Sequence, residues 1–437
     1  MHHDIQECIS QGQADWAAHI GVQAYIWGLP LVECWKYRIA KVQSTDCINR
    51  FEHMRGLATR DTSKFVNSAT DFLYSTAVID LRAGPLRLFA PDFAGRWYGL
   101  QVLDQYMETI VNLGSRTFGD QLPKVILKTA AQEIPHSADQ VVVESTNDYL
   151  YIVGRIYADA KEDLAPVNAL QDQLLLQQLH ATGDGCVDLS SSCAPLLAPG
   201  STCPLDLRFF EELAAVLRYV RPRADEMMLI DLLAEIGITA AGFAHDSLSD
   251  AMRVGLQRGI NTAQSILHNK IFEIGDLING WKLVRNIGNY NNRYIVRALV
   301  SLHGIWANTP EESLYFMART DSTGALLHGD NDYLIQFPAG ALPPVDAFWS
   351  VSYCDAEGRL TENALSKHMI NSLSNRVVPN ADGSVTLTIS RQLLDRDRLE
   401  NWLPSHCGHF NLNLRCYSPA AELLSMNYRV PPIVRLS

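Results

Sequence analysis

Nowhere does this chain hold the roughly eighteen uninterrupted apolar residues that a membrane-spanning helix needs. Its opening stretch, "MHHDIQECISQGQADW", has no charged start followed by an apolar segment. A soluble protein of the cytoplasm is therefore expected, with no membrane partner. Basic charge is scarce as well: 36 Lys and Arg face 48 Asp and Glu, a formal charge of -12. Without a basic run the chain cannot be a general binder of phosphate backbones, so no nucleic-acid partner is expected. Cofactor signatures are missing too. There is no GxGxxG after a strand, no P-loop, no calcium loop and no GxSxG elbow, so any catalysis is expected to use no cofactor.

The nine cysteines show no repeated CxxC spacing, which fits free thiols in a reducing compartment. Cys186, Cys193 and Cys203 share a loop-like stretch, but too few histidines accompany them for a ligand pattern. His406 and His409 have HxxH form around Cys407, yet no companion carboxylate or helix completes a zinc geometry. No metal is expected.

What is present is the material of a large folded protein. Hydrophobic residues make up 47% of 437 and charged residues 19%, enough for more than one core. "ADWAAHIGVQAYIWGLPLVECWKYRI" has helical spacing up to a break expected at Gly28-Leu29-Pro30. From about residue 60 to 158, "DFLYSTAVIDLRAGPLRLFAP", "GRWYGLQVLDQYMETIVNLGSRTFG" and "DQVVVESTNDYLYIVGRIYA" carry the β-branched and aromatic residues of strands. The period then turns helical. In "DLRFFEELAAVLRYVRP", Phe209, Phe210, Leu213, Leu217 and Val220 fall on one face. Beyond about residue 310 strands return, separated by turns such as Asn380-Ala381-Asp382-Gly383.

These segments resemble, in order and over most of the chain, the paired families known as domains of unknown function 1254 and 1214. The N-terminal likeness rests on "AYIWGLPLVECW", "DFLYSTAVIDLRAGPLRLFAP", "GRWYGLQVLDQYMETIVNLGSRTFG" and "YIVGRIY". The C-terminal one rests on "GNYNNRYIVRALVSLHGIWANTPEESLYF", "YLIQFPAGALPPVDAFWSVSYCD", "NADGSVTLTIS", "NWLPS" and "FNLNLRCYSP". The resemblance implies two jelly-roll-like β-sandwiches side by side with helices attached, and no settled activity. The fold class expected is α+β and β-rich: an N-terminal helical segment over 1–59, a β-sandwich over 60–159, an intervening helical segment over 160–310 and a second β-sandwich over 311–437. One departure stands in "NSATDFLYS", where the families usually place Asn and Thr around the aspartate and this chain has Ala69 and Phe72.

Candidate chemistry concentrates in the N-terminal strands. Alternation puts Tyr74, Thr76, Asp80 and Arg82 on one face of one strand, and Arg96, Tyr98, Asp104 and Tyr106 on a shared face of another. Carboxylate, phenol and guanidinium together supply acid, base and anion clamp. A buried salt-bridge network that fixes two strands predicts the same pairing. In "DAFWSVSYCD", Trp349, Val351 and Tyr353 point opposite to Phe348, Ser350 and Ser352, which suits an inter-sheet anchor. The catalytic candidates are Asp71, Tyr74, Tyr98 and Asp104; the substrate-binding candidates are Arg96, Phe72, Trp97, Tyr106 and Trp349.

Two functions stay open. One is a cofactor-independent enzyme acting on a small, mostly apolar metabolite by hydrolysis, elimination, isomerisation or cyclisation in an aromatic pocket, its partner a small-molecule ligand. The other is a non-catalytic jelly-roll protein for binding or self-assembly, which would form a homo-oligomer.

Overall fold

Residues 2–62, 67–135, 137–159, 161–179, 189, 194–197, 200–363, 365, 367–373, 377–394 and 398–436 are described by the computed structural model of the chain. Strand Phe72–Asp80 turns Leu73, Ala77 and Ile79 into one core, as strict alternation requires. It lies in a five-stranded antiparallel sheet, in the order Phe51–His53, Phe72–Asp80, Tyr149–Tyr157, Tyr98–Asp104, Thr109–Gly114. Facing it is a four-stranded sheet of Gln140–Ser145, Lys124–Thr129, Leu86–Phe89 and Leu175–Gln178. Leu86, Leu88, Val125, Leu127 and Val143 of that sheet close the core from the other side. This is the first β-sandwich.

The second sandwich is built the same way. A six-stranded antiparallel sheet has Phe410–Pro419 between Ser313–Ala318 and Val345–Asp355, and a four-stranded sheet contains Tyr333–Phe337 and Val385–Ser390. Trp349 packs inside this core against Phe337, with ring centroids 5.4 Å apart. Trp349 is therefore an architectural anchor, on the opposite strand face from Phe348 and Ser350, which meet the seam cluster described below.

The strands extend past the boundaries read at 159 and 311. Leu175–Gln178 pairs into the first sandwich, and Asp276–Ile278 and Trp281–Leu283 pair into the second. Short β segments inside a helical stretch carry little periodic signal. Nor is the N-terminal helix a segment apart: it packs against helices Arg208–Val216, Asp250–Glu273 and Tyr294–His303 to form one helical layer.

That helix runs unbroken from His2 to Lys41, straight through Pro30. Proline at 30 forfeits one backbone hydrogen bond, and burial on several sides offsets the loss, since Trp27, Leu31, Val32 and Trp35 are all in the core. Gly28 serves packing here. A Cβ at Gly28 would lie 2.7 Å from the Leu213 side chain, so glycine lets the neighbouring helix approach. No helix among the described residues is long and apolar enough to cross a membrane.

Candidate functional site

The nine candidate residues do not form one site. Tyr98 and Asp104 do share a strand face, but six residues at about 3.3 Å each put them roughly 20 Å apart. Tyr98 lies inside the first sandwich, stacked on Phe93 at 3.6 Å. Arg96 precedes the strand and forms a two-pronged pair with Asp163, Nη2 to Oδ1 at 2.8 Å. It is a local brace. The strand covers only Tyr98–Asp104, so Arg96 before it and Tyr106 in the turn after it do not share a strand face with them, and alternation says nothing of distance along a face.

Asp71, Phe72, Tyr74 and Trp97 do come together, in the seam between the two sandwiches. Asp71 is fully buried. Its Oδ2 accepts from Ser350 Oγ at 2.8 Å and from Tyr417 Oη at 3.3 Å, and its Oδ1 accepts from Asn371 Nδ2 at 3.0 Å. Burial pushes the Asp71 carboxyl above its ordinary range, against the pull of Arg415 and those three donors. Phe72, Trp97, Tyr157, Phe348 and Tyr417 wall the cluster with interlocked rings. Phe72 fills this space with apolar bulk. These three side-chain bonds of Asp71 cross from the first sandwich to the second, which makes it a latch between domains. Replacing Ser350 with alanine is expected to cost roughly 1–3 kcal/mol, the usual penalty for depriving a buried acceptor. A denaturant midpoint equal to wild type would remove the latch role.

Asp104 and Tyr106 lie elsewhere, at the tip of the hairpin joining Tyr98–Asp104 to Thr109–Gly114. The turn is held by Asp104 itself, whose Oδ1 accepts from the backbone N–H of Tyr106 at 2.8 Å and of Glu108 at 3.0 Å. Gln105 anchors the tip in the helical layer. It donates to Leu31 O at 3.0 Å and accepts from Tyr151 Oη at 2.7 Å. The hairpin thus pushes Tyr106 and Glu108 against Trp27 of the N-terminal helix, Glu226 at the start of Met227–Glu235, and Arg297 of Tyr294–His303.

The result is a chamber only in outline, a tight packing of charged side chains in which Arg297 and Tyr106 have no accessible surface. Glu226 Oε1 accepts from Trp27 Nε1 at 2.8 Å and from Arg223 Nη2 at 2.9 Å. Glu108 Oε2 accepts from the Tyr290 N–H at 2.6 Å. Its Oε1 sits 3.5 Å from Arg297 Nη1 and 3.6 Å from Arg223 Nη1, outside hydrogen-bonding geometry with both. Arg297 Nη2 is 3.8 Å from Glu226 Oε1. The two guanidinium groups lie over the Tyr106 ring at 5.1 and 4.9 Å, and Arg297 also faces Tyr294 at 5.2 Å. Arg297 has no accessible surface, and none of its three guanidinium nitrogens has a hydrogen-bond partner among the described residues. Such a group is rare in a folded interior. Arg223, 24% exposed, and Glu108, 12% exposed, form the mouth above that floor.

Asp104 is the titratable centre of the chamber. Burial raises its carboxyl pKa to about 7, and the neighbouring Glu108 carboxylate adds to the rise. The backbone N–H groups of Glu108 and Tyr106, together with Arg297, oppose it. Burial likewise lifts Glu108 above the usual carboxylate range, against the Tyr290 N–H, Arg297 and Arg223. An acid poised near neutrality beside a cation that makes no hydrogen bond among the described residues is an arrangement suited to general acid/base catalysis.

Sequence reasoning missed Arg297, Glu226, Glu108 and Arg223 here, and Arg415, Tyr417 and Asn371 in the seam. One signal existed: Arg297 interrupts the otherwise apolar run Ile295, Val296, Ala298, Leu299, and a lone cation inside such a run has to find a partner. Among the described residues no group of three or more His, Cys, Asp or Glu side chains converges as a metal would need. Cys186 and Cys193 lie outside the described residues, and Cys203 is a buried free thiol. A surface groove of about 510 Å³ beside Phe118 and Leu122, and a cleft of about 260 Å³ beside Thr386 and Asn401, open on outer parts of the sandwiches. Each has a single charged residue in its lining, so neither competes chemically with the chamber.

Residues 48–178 match the family described as Protein of unknown function (DUF1254), and residues 312–421 match Protein of unknown function (DUF1214). Both matches fall in the expected order. No curated protein matches the chain. A crystal structure of the VPA0106 protein from Vibrio parahaemolyticus superposes with a TM-score of 0.72 at 21% identity, covering 96% of this chain and all of that one. It shares the fold. An uncharacterized protein from Burkholderia cenocepacia aligns at 14% identity with a TM-score of 0.48, over 98% of this chain and 95% of its own.

Proposed function

We propose that this chain, which pairs a DUF1254 with a DUF1214 domain, is a cofactor-independent enzyme whose reaction runs in the chamber at the hairpin tip. Its substrate is a small, mostly apolar molecule. Asp104 exchanges a proton with it, Arg297 receives negative charge that develops on a substrate oxygen, and the Tyr106 and Tyr294 rings wall the apolar remainder. Hydrolysis, elimination, isomerisation and cyclisation all fit that set of groups. One observation carries the reading: a carboxyl with a pKa of about 7 next to a fully buried guanidinium that donates no hydrogen bond among the described residues. Free thiols throughout the described chain fit a cytoplasmic setting.

The test is a thermal-shift screen of the purified protein against a diverse metabolite library, with mass spectrometry of every hit. A ligand selective for the folded state adds about 2.7 kcal/mol at a hundred times its dissociation constant, which such a screen detects. At least one hit should be converted, and Asp104→Asn should still bind it while turning over roughly 10²–10⁴-fold more slowly. Conversion by Asp104→Asn at the wild-type rate, or no converted hit at all, overturns the reading.

A further inference from the structure

The second sandwich carries a cleft of about 260 Å³ on its outer face, and strand alternation explains the floor. Val385, Leu387 and Ile389 enter the core, so Thr386 and Thr388 face out. Leu334 stands opposite Thr388 in the adjacent strand and turns the same way. Leu436, just past the strand Ile433–Arg435, adds a second apolar side chain, and Asn380, Arg398 and Asn401 complete the lining. The lining is thus part aliphatic and part polar.

The polar part is set before a guest arrives. Asn401 is buried, donates from Nδ2 to Thr386 O at 3.0 Å and to Val378 O at 2.8 Å, and accepts the Val378 N–H on Oδ1 at 2.8 Å. Asn380 Nδ2 donates to Thr386 Oγ1 at 2.9 Å and to Ser384 Oγ at 3.0 Å. The first of these bonds occupies a lone pair of the Thr386 hydroxyl and leaves its proton for a guest. Arg398 is the one charged residue of the lining. It is exposed, and its guanidinium makes no hydrogen bond or ion pair among the described residues. These two unspent groups are donors, one neutral and one charged. In sequence, the lining residues are flanked by acids at Asp332, Asp382, Asp397 and Glu400 and by bases at Arg396 and Arg435. That excess of acid disfavours a doubly charged guest such as a phosphate, whereas a single carboxylate is what one arginine balances.

We infer that this cleft is a binding site, separate from the chamber and independent of it, for a small molecule with one carboxylate on a short aliphatic body. The guanidinium of Arg398 and the hydroxyl of Thr386 donate to the carboxylate, and Leu334 and Leu436 cover the body. The cleft has the room of about eight or nine waters at ~30 Å³ each, which keeps that body short. No carboxylate, imidazole or thiol lines it, so the guest is held and not converted.

Isovalerate, isovaleramide and acetate separate the charge from the body: the amide keeps the shape without the charge, and acetate keeps the charge without the body. Ligand-observed NMR titration of the full chain at neutral pH should give isovalerate a dissociation constant on the order of 1 mM, in keeping with so small a guest. The other two should bind at least roughly tenfold more weakly. Arg398→Gln should weaken isovalerate roughly tenfold. Thr386→Val, which keeps the β-branched shape and loses the hydroxyl, should weaken it roughly threefold. Both variants should fold, since Arg398 is exposed and valine suits a strand. Isovaleramide or acetate binding as tightly as isovalerate overturns the inference. So does isovalerate binding that either substitution leaves unaltered, or no binding of isovalerate at about 10 mM.

Discussion

Asp104→Asn should make the protein more stable at pH 8, leave it nearly unchanged at pH 4, and silence it as a catalyst. The sign follows from the direction of the shift. An aspartate whose folded pKa rises from 3.8 to about 7 holds its proton more tightly folded than unfolded. Between those values the folded state binds more protons, so stability falls as pH rises through the window and levels off above it. The penalty is small at pH 4, grows through the window and is complete at pH 8. At about 1.36 kcal/mol per pH unit, the whole shift sets a ceiling of roughly 4 kcal/mol, and solvent at the mouth of the chamber lowers it. Asparagine keeps the Oδ1 that caps the Tyr106 and Glu108 N–H groups and removes the charge. A gain of about 1–3 kcal/mol at pH 8 that nearly vanishes by pH 4 is therefore expected from urea unfolding of both proteins at the two pH values. A stabilising change that abolishes turnover is the mark of a group kept for chemistry. Equal stability at both pH values would show that Asp104 titrates as an ordinary surface carboxylate.

How much of this was readable beforehand differs by element. Leu73, Ala77 and Ile79 alternate into a core, and Phe210 and Leu213 share a helix face, because local periodicity follows directly from backbone geometry. The unbroken N-terminal helix was not readable at Pro30, since its support comes from residues far along the chain. The same holds for the site. Asp104 and Tyr106 stood out as a carboxylate and a phenol near one another, but a strand face runs the length of the sheet and brought Tyr98 along with them. What singles out Asp104 is the helical layer: Glu226 and Arg297 lie beyond residue 220, and only the hairpin's insertion brings them to it. The latch at Asp71 is legible in half, its near neighbours Phe72 and Tyr74 from the first sandwich and its partners Ser350, Asn371 and Tyr417 from the second.

Arg297→Met should cost about 3–5 kcal/mol of stability at pH 8, the usual consequence of removing one partner from a buried charge network. Glu108 and Glu226 would then share Arg223 alone, which is already committed to Glu226 at 2.9 Å. Glu108 would be left with Arg223 at 3.6 Å and the Tyr290 N–H. Its carboxyl, already raised by burial, would rise further. A higher folded pKa places the cost above that pKa, so the defect should shrink as pH falls through it and Glu108 takes up a proton. Adding Glu108→Gln to Arg297→Met removes the stranded charge and should recover most of the loss at pH 8, giving a coupling energy of about 1–3 kcal/mol in the double-mutant cycle. Glu108→Gln alone should also cost stability, because it strands Arg297 instead. The two single losses and the partial rescue together test whether Arg297 is held by its carboxylates. If Arg297→Met proved neutral at pH 8, the acids around it would have to be protonated already. The chamber would then carry a net positive charge, and pairing with carboxylates would not be what holds Arg297 in place.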